Sequence, residues 1–121
     1  MLDHLRQKAA QTLASTRSVT LSSYGPADIQ ASRVLCEAQD LTLYIVIPRS
    51  SNHLLNLENR PAIVATTDTW DLQGNARVLN REEIPVGIAL PETGSAIIAI
   101  QPTRLTIHSL TGLGNIETID F

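Results

Sequence analysis

Cysteine, lysine and aromatic side chains are nearly missing from this chain. Cys36 is its single cysteine, which excludes an intramolecular disulfide. The three histidines, His4, His53 and His108, are far apart and show no zinc-like spacing, so no metal centre is expected. Lys8 is the only lysine beside eight arginines, and the formal net charge is −3. The basic residues are spread out, so the electrostatic footprint of a nucleic-acid-binding protein is absent. What cationic chemistry there is comes from guanidinium groups, suited to bidentate pairing with oxyanions. No apolar run approaches membrane-spanning length and the N-terminus lacks the apolar core of a signal peptide, so a cytoplasmic location is expected.

Apolar residues make up 43% of the 121 positions, enough for one modest core, and residues 1–121 read as a single domain. Leu2, Leu5, Ala9 and Leu13 share one helical face, predicting a helix over about residues 2–15. Strands are expected at 18–22 and 29–36, joined by the turn cluster Tyr24-Gly25-Pro26-Ala27-Asp28, and after a turn at 37–40 at 41–47. A fourth strand is expected at 62–67 and a fifth at 72–79, with 68–71 turning the chain and placing Trp70 in that turn. Gly74 inside the fifth strand signals a bulge or a close backbone approach. The apolar but Pro- and Gly-containing stretch 84–90 reads as a connection. Residues 95–100 and 104–108 read as a final strand pair split at Gln101-Pro102, and the tail 111–121 as loose or packed on a partner. Six or seven short strands at a spacing of roughly ten residues, with one helix first and one in the middle, indicate a mostly β protein, a small antiparallel barrel with flanking helices.

The stretch 44–61 is the most informative. An apolar strand ends in the polar cluster Arg49-Ser50-Ser51, a helix over 52–59 follows, and Pro61 stops it. Ser50 or Ser51 is the natural N-cap. A helix start presents N–H groups with partial positive charge, and Arg49 beside it adds donors for the same anion. An ordinary strand-to-helix connection with a solvated arginine has the same local chemistry.

The order of these pieces resembles the pyridoxamine 5′-phosphate oxidase-like FMN-binding split-barrel family. The resemblance rests on the hairpin Val19 to Cys36, on Leu43-Tyr44-Ile45, on Ser51-Asn52-His53, on Asn56-Leu57-Glu58-Asn59-Arg60-Pro61 and on Gln73-Gly74-Asn75-Ala76-Arg77-Val78. It covers residues 1–80 and beyond them only the strand count. It implies a six- to seven-stranded antiparallel split barrel, a homodimer, and FMN in two clefts between subunits. The flavin phosphate would sit near Arg49, Ser50, Ser51, Asn52 and His53. The ring would lie along the second and third strands, by Val34 and Tyr44, with Gln73 completing the site, and Arg33, close to the family's basic position on the second strand, would be a further phosphate ligand. It implies an FMN-dependent oxidoreductase acting on a small molecule.

One departure bears on that cofactor. The family carries Arg-Lys where this chain has Asn52-His53, so two permanent cations become an amide and an imidazole. Each charge-assisted hydrogen bond lost is worth about 1.5–3 kcal/mol, which places FMN occupancy, not the fold, in question. Together with the 3% aromatic content this motivates an alternative, a cofactor-free binding or regulatory dimer of the same fold. Haem or a deazaflavin in the same cleft, with His53 or His108 as axial ligand, is a third reading without support from spacing. Ordinary roles stand beside the functional ones. Arg33 also reads as a solvent-facing strand residue, His53 as a surface histidine at a helix start, Trp70 as a core or interface anchor, and Cys36 as a small buried apolar group. No nucleophile, base and acid can be assembled from spacing, so no catalytic residue is assigned.

Overall fold

The computed structural model describes residues 2–108 and 116–121. A helix, α1 (Leu2–Ala14), leads into β1 (Ser18–Ser23), β2 (Gln30–Gln39) and β3 (Thr42–Pro48). After α2 (Asn52–Asn59) come β4 (Ala62–Thr66), β5 (Trp70–Val78), a 3₁₀ turn at Arg81–Glu83, β6 (Ser95–Ile107) and β7 (Glu117–Asp120). The protein is mostly β. The sheet order is β3-β2-β1-β4-β5-β6-β7, every pairing is antiparallel, and β3 also pairs with β6. That last pairing closes six strands into a barrel and leaves β7 as an extra strand on the second half of β6.

Strand alternation fills the barrel. Val19 and Leu21, Leu43, Ile45 and Ile47, and Trp70, Leu72 and Ala76 all point inward and are buried, while their sequence neighbours face out. Ala9 and Leu13 of α1 seat that helix against the same core. The backbone N–H of Cys36 donates to Arg17 O at 2.9 Å, tying β2 to the chain leaving α1. The Cys36 thiol is buried, and burial pushes its pKa up to about 11, so it serves as a small apolar filler.

Several boundaries differ from those read in the sequence, each for a tertiary reason. β2 runs three residues past Cys36, through the expected turn, because Glu37, Ala38 and Gln39 find partners in Tyr44, Leu43 and Thr42. The turn shrinks to Asp40-Leu41, with Asp40 taking φ 55° as tight hairpins require. Trp70 lies in no turn but opens β5, buried to 2% exposure, and its polar neighbours conceal an inward-facing position. The last strand pair is one continuous strand, β6. Gln73 pairs with Arg104 but Gly74 with Pro102, so Thr103 bulges out and the proline occupies an irregular point of the ladder. Gly74 is obligatory there, since a Cβ would lie 2.6 Å from Gln101 O. Of the tail expected to be loose or partner-bound, 117–120 forms β7 and places Ile119 in the core, whereas 111–115 fall outside the described residues.

Candidate functional site

The strand-to-helix loop is built as its chemistry dictates. Ser51, not Ser50, is the N-cap of α2: its backbone is extended and its Oγ accepts from His53 N at 3.2 Å. The last turn closes through Arg60 N donating to Asn56 O at 2.8 Å, and Pro61 follows. Ser50 and Asn52 are exposed. The helix buries His53, Asn56 and Leu57 against the barrel end.

His53 and Asn56 form the centre of a buried polar network that the sequence does not advertise. Asn56 Oδ1 accepts from Ala27 N at 2.9 Å, while its Nδ2 donates to Asp28 O at 2.9 Å and to Ser23 Oγ at 3.1 Å. Ser23 Oγ lies 2.6 Å from His53 Nδ1, and His53 Nε2 lies 3.1 Å from Ser32 Oγ. Each ring nitrogen thus has a serine hydroxyl as its hydrogen-bond partner, and Ser23 Oγ is shared between His53 and Asn56. The site is 3% exposed, and burial holds the His53 pKa below its ordinary value of 6.5, favouring the neutral ring. His53 is thus a neutral, doubly engaged pin between α2 and the β1–β2 hairpin rather than a surface histidine. Ser23, Ser32 and the role of Asn56 were missed in the sequence. The available signal was a lone Asn inside the apolar run Leu54-Leu55-Asn56-Leu57.

The remaining sequence-predicted residues do not converge on this point. Ser32 and Arg33 are successive strand residues and project to opposite faces of β2. Arg33 Nη2 donates to Ser18 Oγ at 3.1 Å, and its side chain lines a cavity with Arg17 and Thr67–Trp70 near the end of α1. Val34 is half-buried against the core. Tyr44 lies on the outer face of β3 between two cavities, one shared with Arg77 and Gln101, the other with Leu35 and Val46. Gln73 is exposed on β5 and lines a groove with Tyr24, Ile29 and Val64. Arg49 is exposed and borders a separate cavity with Arg81 and Ser95. Of the expected set, only Ser51 and His53 are brought into one bonded cluster.

That geometry decides how well FMN fits. A phosphate at the start of α2 calls for a cation there. Position 53 offers a neutral ring with both nitrogens occupied, Arg33 leans towards Ser18, and Arg49 lines another cavity. The residues present do not fit an FMN phosphate held in the expected way. The engaged nitrogens equally leave His53 without a free ligand atom for a haem iron. His108 holds one nitrogen, Nε2, 2.9 Å from Asp71 Oδ2. Among the described residues no cluster of three or more metal-ligating side chains occurs, and no helix is long and apolar enough to cross a membrane.

No protein-family model matches the chain, and no curated protein matches it at a significant level. Solved structures do resemble it. General stress protein 26 from Bacillus anthracis str. Sterne superimposes with a TM-score of 0.72 at 16% identity, over 98% of this chain and 99% of that one. A Clostridium acetobutylicum protein related to general stress protein 26, of the pyridoxinephosphate oxidase family, gives 0.70 at 11% identity, over 98% and 96%. A haem-binding protein from Mycobacterium smegmatis gives 0.70 at 15% identity, over 95% of this chain and 57% of that one. Identities this low carry the fold alone. That fold is the split barrel expected from the motif order.

Proposed function

We propose that this chain is a binding or regulatory module, a homodimeric split barrel that does not hold FMN through the loop before α2. The observation that carries the reading is the closed His53 network: the position that would hold the phosphate is spent on joining α2 to Ser23 and Ser32. Dimerisation is supported by the outer face of β2 and β3, where Leu35 is 73% and Val46 44% exposed beside a cavity of about 310 Å³. Covering their remaining exposed surface is worth about 1–2 kcal/mol each, and a second copy of the same face would supply the cover.

A second reading, an FMN-dependent oxidoreductase, draws on the likeness to a pyridoxinephosphate oxidase family structure and on the exposed Arg49 beside the loop. In that case FMN supplies the redox chemistry and the protein binds and orients it. One experiment separates the two. Sedimentation equilibrium of the wild type and of Leu35→Glu is combined with thermal melts in the presence of FMN. We expect a dimer that Leu35→Glu dissociates, and a melting temperature unmoved by FMN. A ligand at a hundred times its Kd would add about 2.7 kcal/mol of stability. A yellow protein, or a melting temperature that climbs with FMN, overturns the cofactor-free reading. A monomeric wild type overturns the dimer.

A further inference from the structure

The loop that leaves β3 faces a second element that the resemblance does not mention. Arg49 and Arg81 line one cavity of about 260 Å³, together with Thr93, Ser95, Leu79 and Ile97. Its wall is held firmly. Arg49 N donates to Gly94 O at 2.8 Å and Ser95 N to Glu92 O at 3.0 Å. Gly94 takes φ 91°, a conformation other residues rarely adopt. Leu79 and Ile97, buried at 6% and 1% exposure, contribute with Ile84 and Pro91 the apolar part of its wall.

The charges in this cavity are uncommitted. Arg77 pairs with Glu83, Arg104 with Asp120 and Lys8 with Glu117, but the side chains of Arg49 and Arg81 take part in no ion pair or hydrogen bond among the described residues. The hydroxyls of Thr93 and Ser95 are likewise unbonded among those residues. Two guanidinium forks and two hydroxyls beside an apolar stretch of wall make a receptor for an oxyanion with a small organic body. Glu92 lines the same cavity and offsets one of the two positive charges, so the site keeps a net positive charge.

We propose that this cavity binds a phosphate monoester of a small metabolite, the phosphate between Arg49 and Arg81 and the organic group on Leu79 and Ile97. The cavity shares Ile97 with the one on the dimer face, and Arg49 stands two residues before the N-cap of α2, but its lining includes none of the buried network of His53 and Asn56. Calorimetric titration of the full chain with inorganic phosphate and with phenyl phosphate tests it. Both bind saturably and phenyl phosphate more tightly, because its ring reaches the apolar part of the wall. Arg49→Gln and Arg81→Gln each weaken phenyl phosphate binding roughly ten- to hundredfold, the equivalent of one charge-assisted hydrogen bond. Glu92→Gln tightens binding by removing a like charge, and Arg6→Gln, on the exposed side of α1, leaves it unchanged. Circular dichroism melts confirm that each variant is folded. Absence of saturable binding by either probe, equal affinity in Arg81→Gln and wild type, or weakening by Glu92→Gln overturns the proposal.

Discussion

Replacing Asn56 by alanine should loosen the whole of α2 from the barrel, and the size of the effect follows from its bonds. The side chain is fully buried and makes three hydrogen bonds, from Ala27 N and to Asp28 O and Ser23 Oγ. At about 0.5–1.5 kcal/mol for each bond, their loss costs roughly 3 kcal/mol. For a domain of this size a kilocalorie moves the midpoint by about 4 °C, so the melting temperature should fall by about 12 °C. Asn56→Leu keeps comparable bulk but restores no bond, and it should fall nearly as far. Asn59→Ala is the internal reference. That side chain is exposed and donates only to Leu55 O at 2.9 Å within the same helix, so its loss should cost no more than about 0.5 kcal/mol. Thermal denaturation followed by far-ultraviolet circular dichroism reads all three. If Asn56→Ala and Asn59→Ala melt together, or if Asn56→Leu melts like the wild type, the network does not carry the docking of α2.

The same network predicts a pH dependence. Because burial lowers the His53 pKa in the folded state, the unfolded chain takes up the proton first, so its contribution is complete above about pH 6.5 and is lost as pH falls below it. The urea midpoint should decline between about pH 7.5 and 5.5 and His53→Gln should flatten that decline, whereas an unchanged slope in the variant would exclude His53 as the titrating group. Gly74→Ala would place a methyl 2.6 Å from Gln101 O and 2.9 Å from Ile100 Cγ2, and backbone cannot yield cheaply. A loss of about 1–3 kcal/mol in denaturant unfolding is expected, and wild-type stability would show that the bulge is soft.

Local signals made much of this fold readable. The bounds of α2 coincide with those read from Ser51 and Pro61, because cap and stop act within one turn of the residues they govern. β1 followed from alternation, and β3 and β4 from short apolar runs bounded by turn residues. What escaped was set by partners distant in sequence. Pro102 reads as a break in the sequence, but the register shift at Gly74, on another strand, absorbs the irregularity. Trp70 looked like a turn residue because Asp68, Thr69 and Asp71 surround it, although its own side chain faces the barrel interior. The site was less legible still. The motif positions of the resemblance fell where expected along the chain, yet His53 meets Ser23 across thirty positions and Ser32 across twenty-one. No spacing rule announces a histidine whose two nitrogens are claimed by serines on different strands.

The pairing of β3 with β6 has a kinetic side. Leu43 waits for Ile100 and Ile47 for Ala96, and until β6 arrives the apolar run Tyr44–Ile47 has one strand edge unpaired. Closure so remote in sequence is slow, and an open apolar edge attracts other chains. During synthesis the β1–β2–β3 meander therefore emerges as a sticky half-cylinder that only the later strands can seal. Chaperone demand, and the yield of refolding at high concentration, should be governed by how long that seam stands ajar.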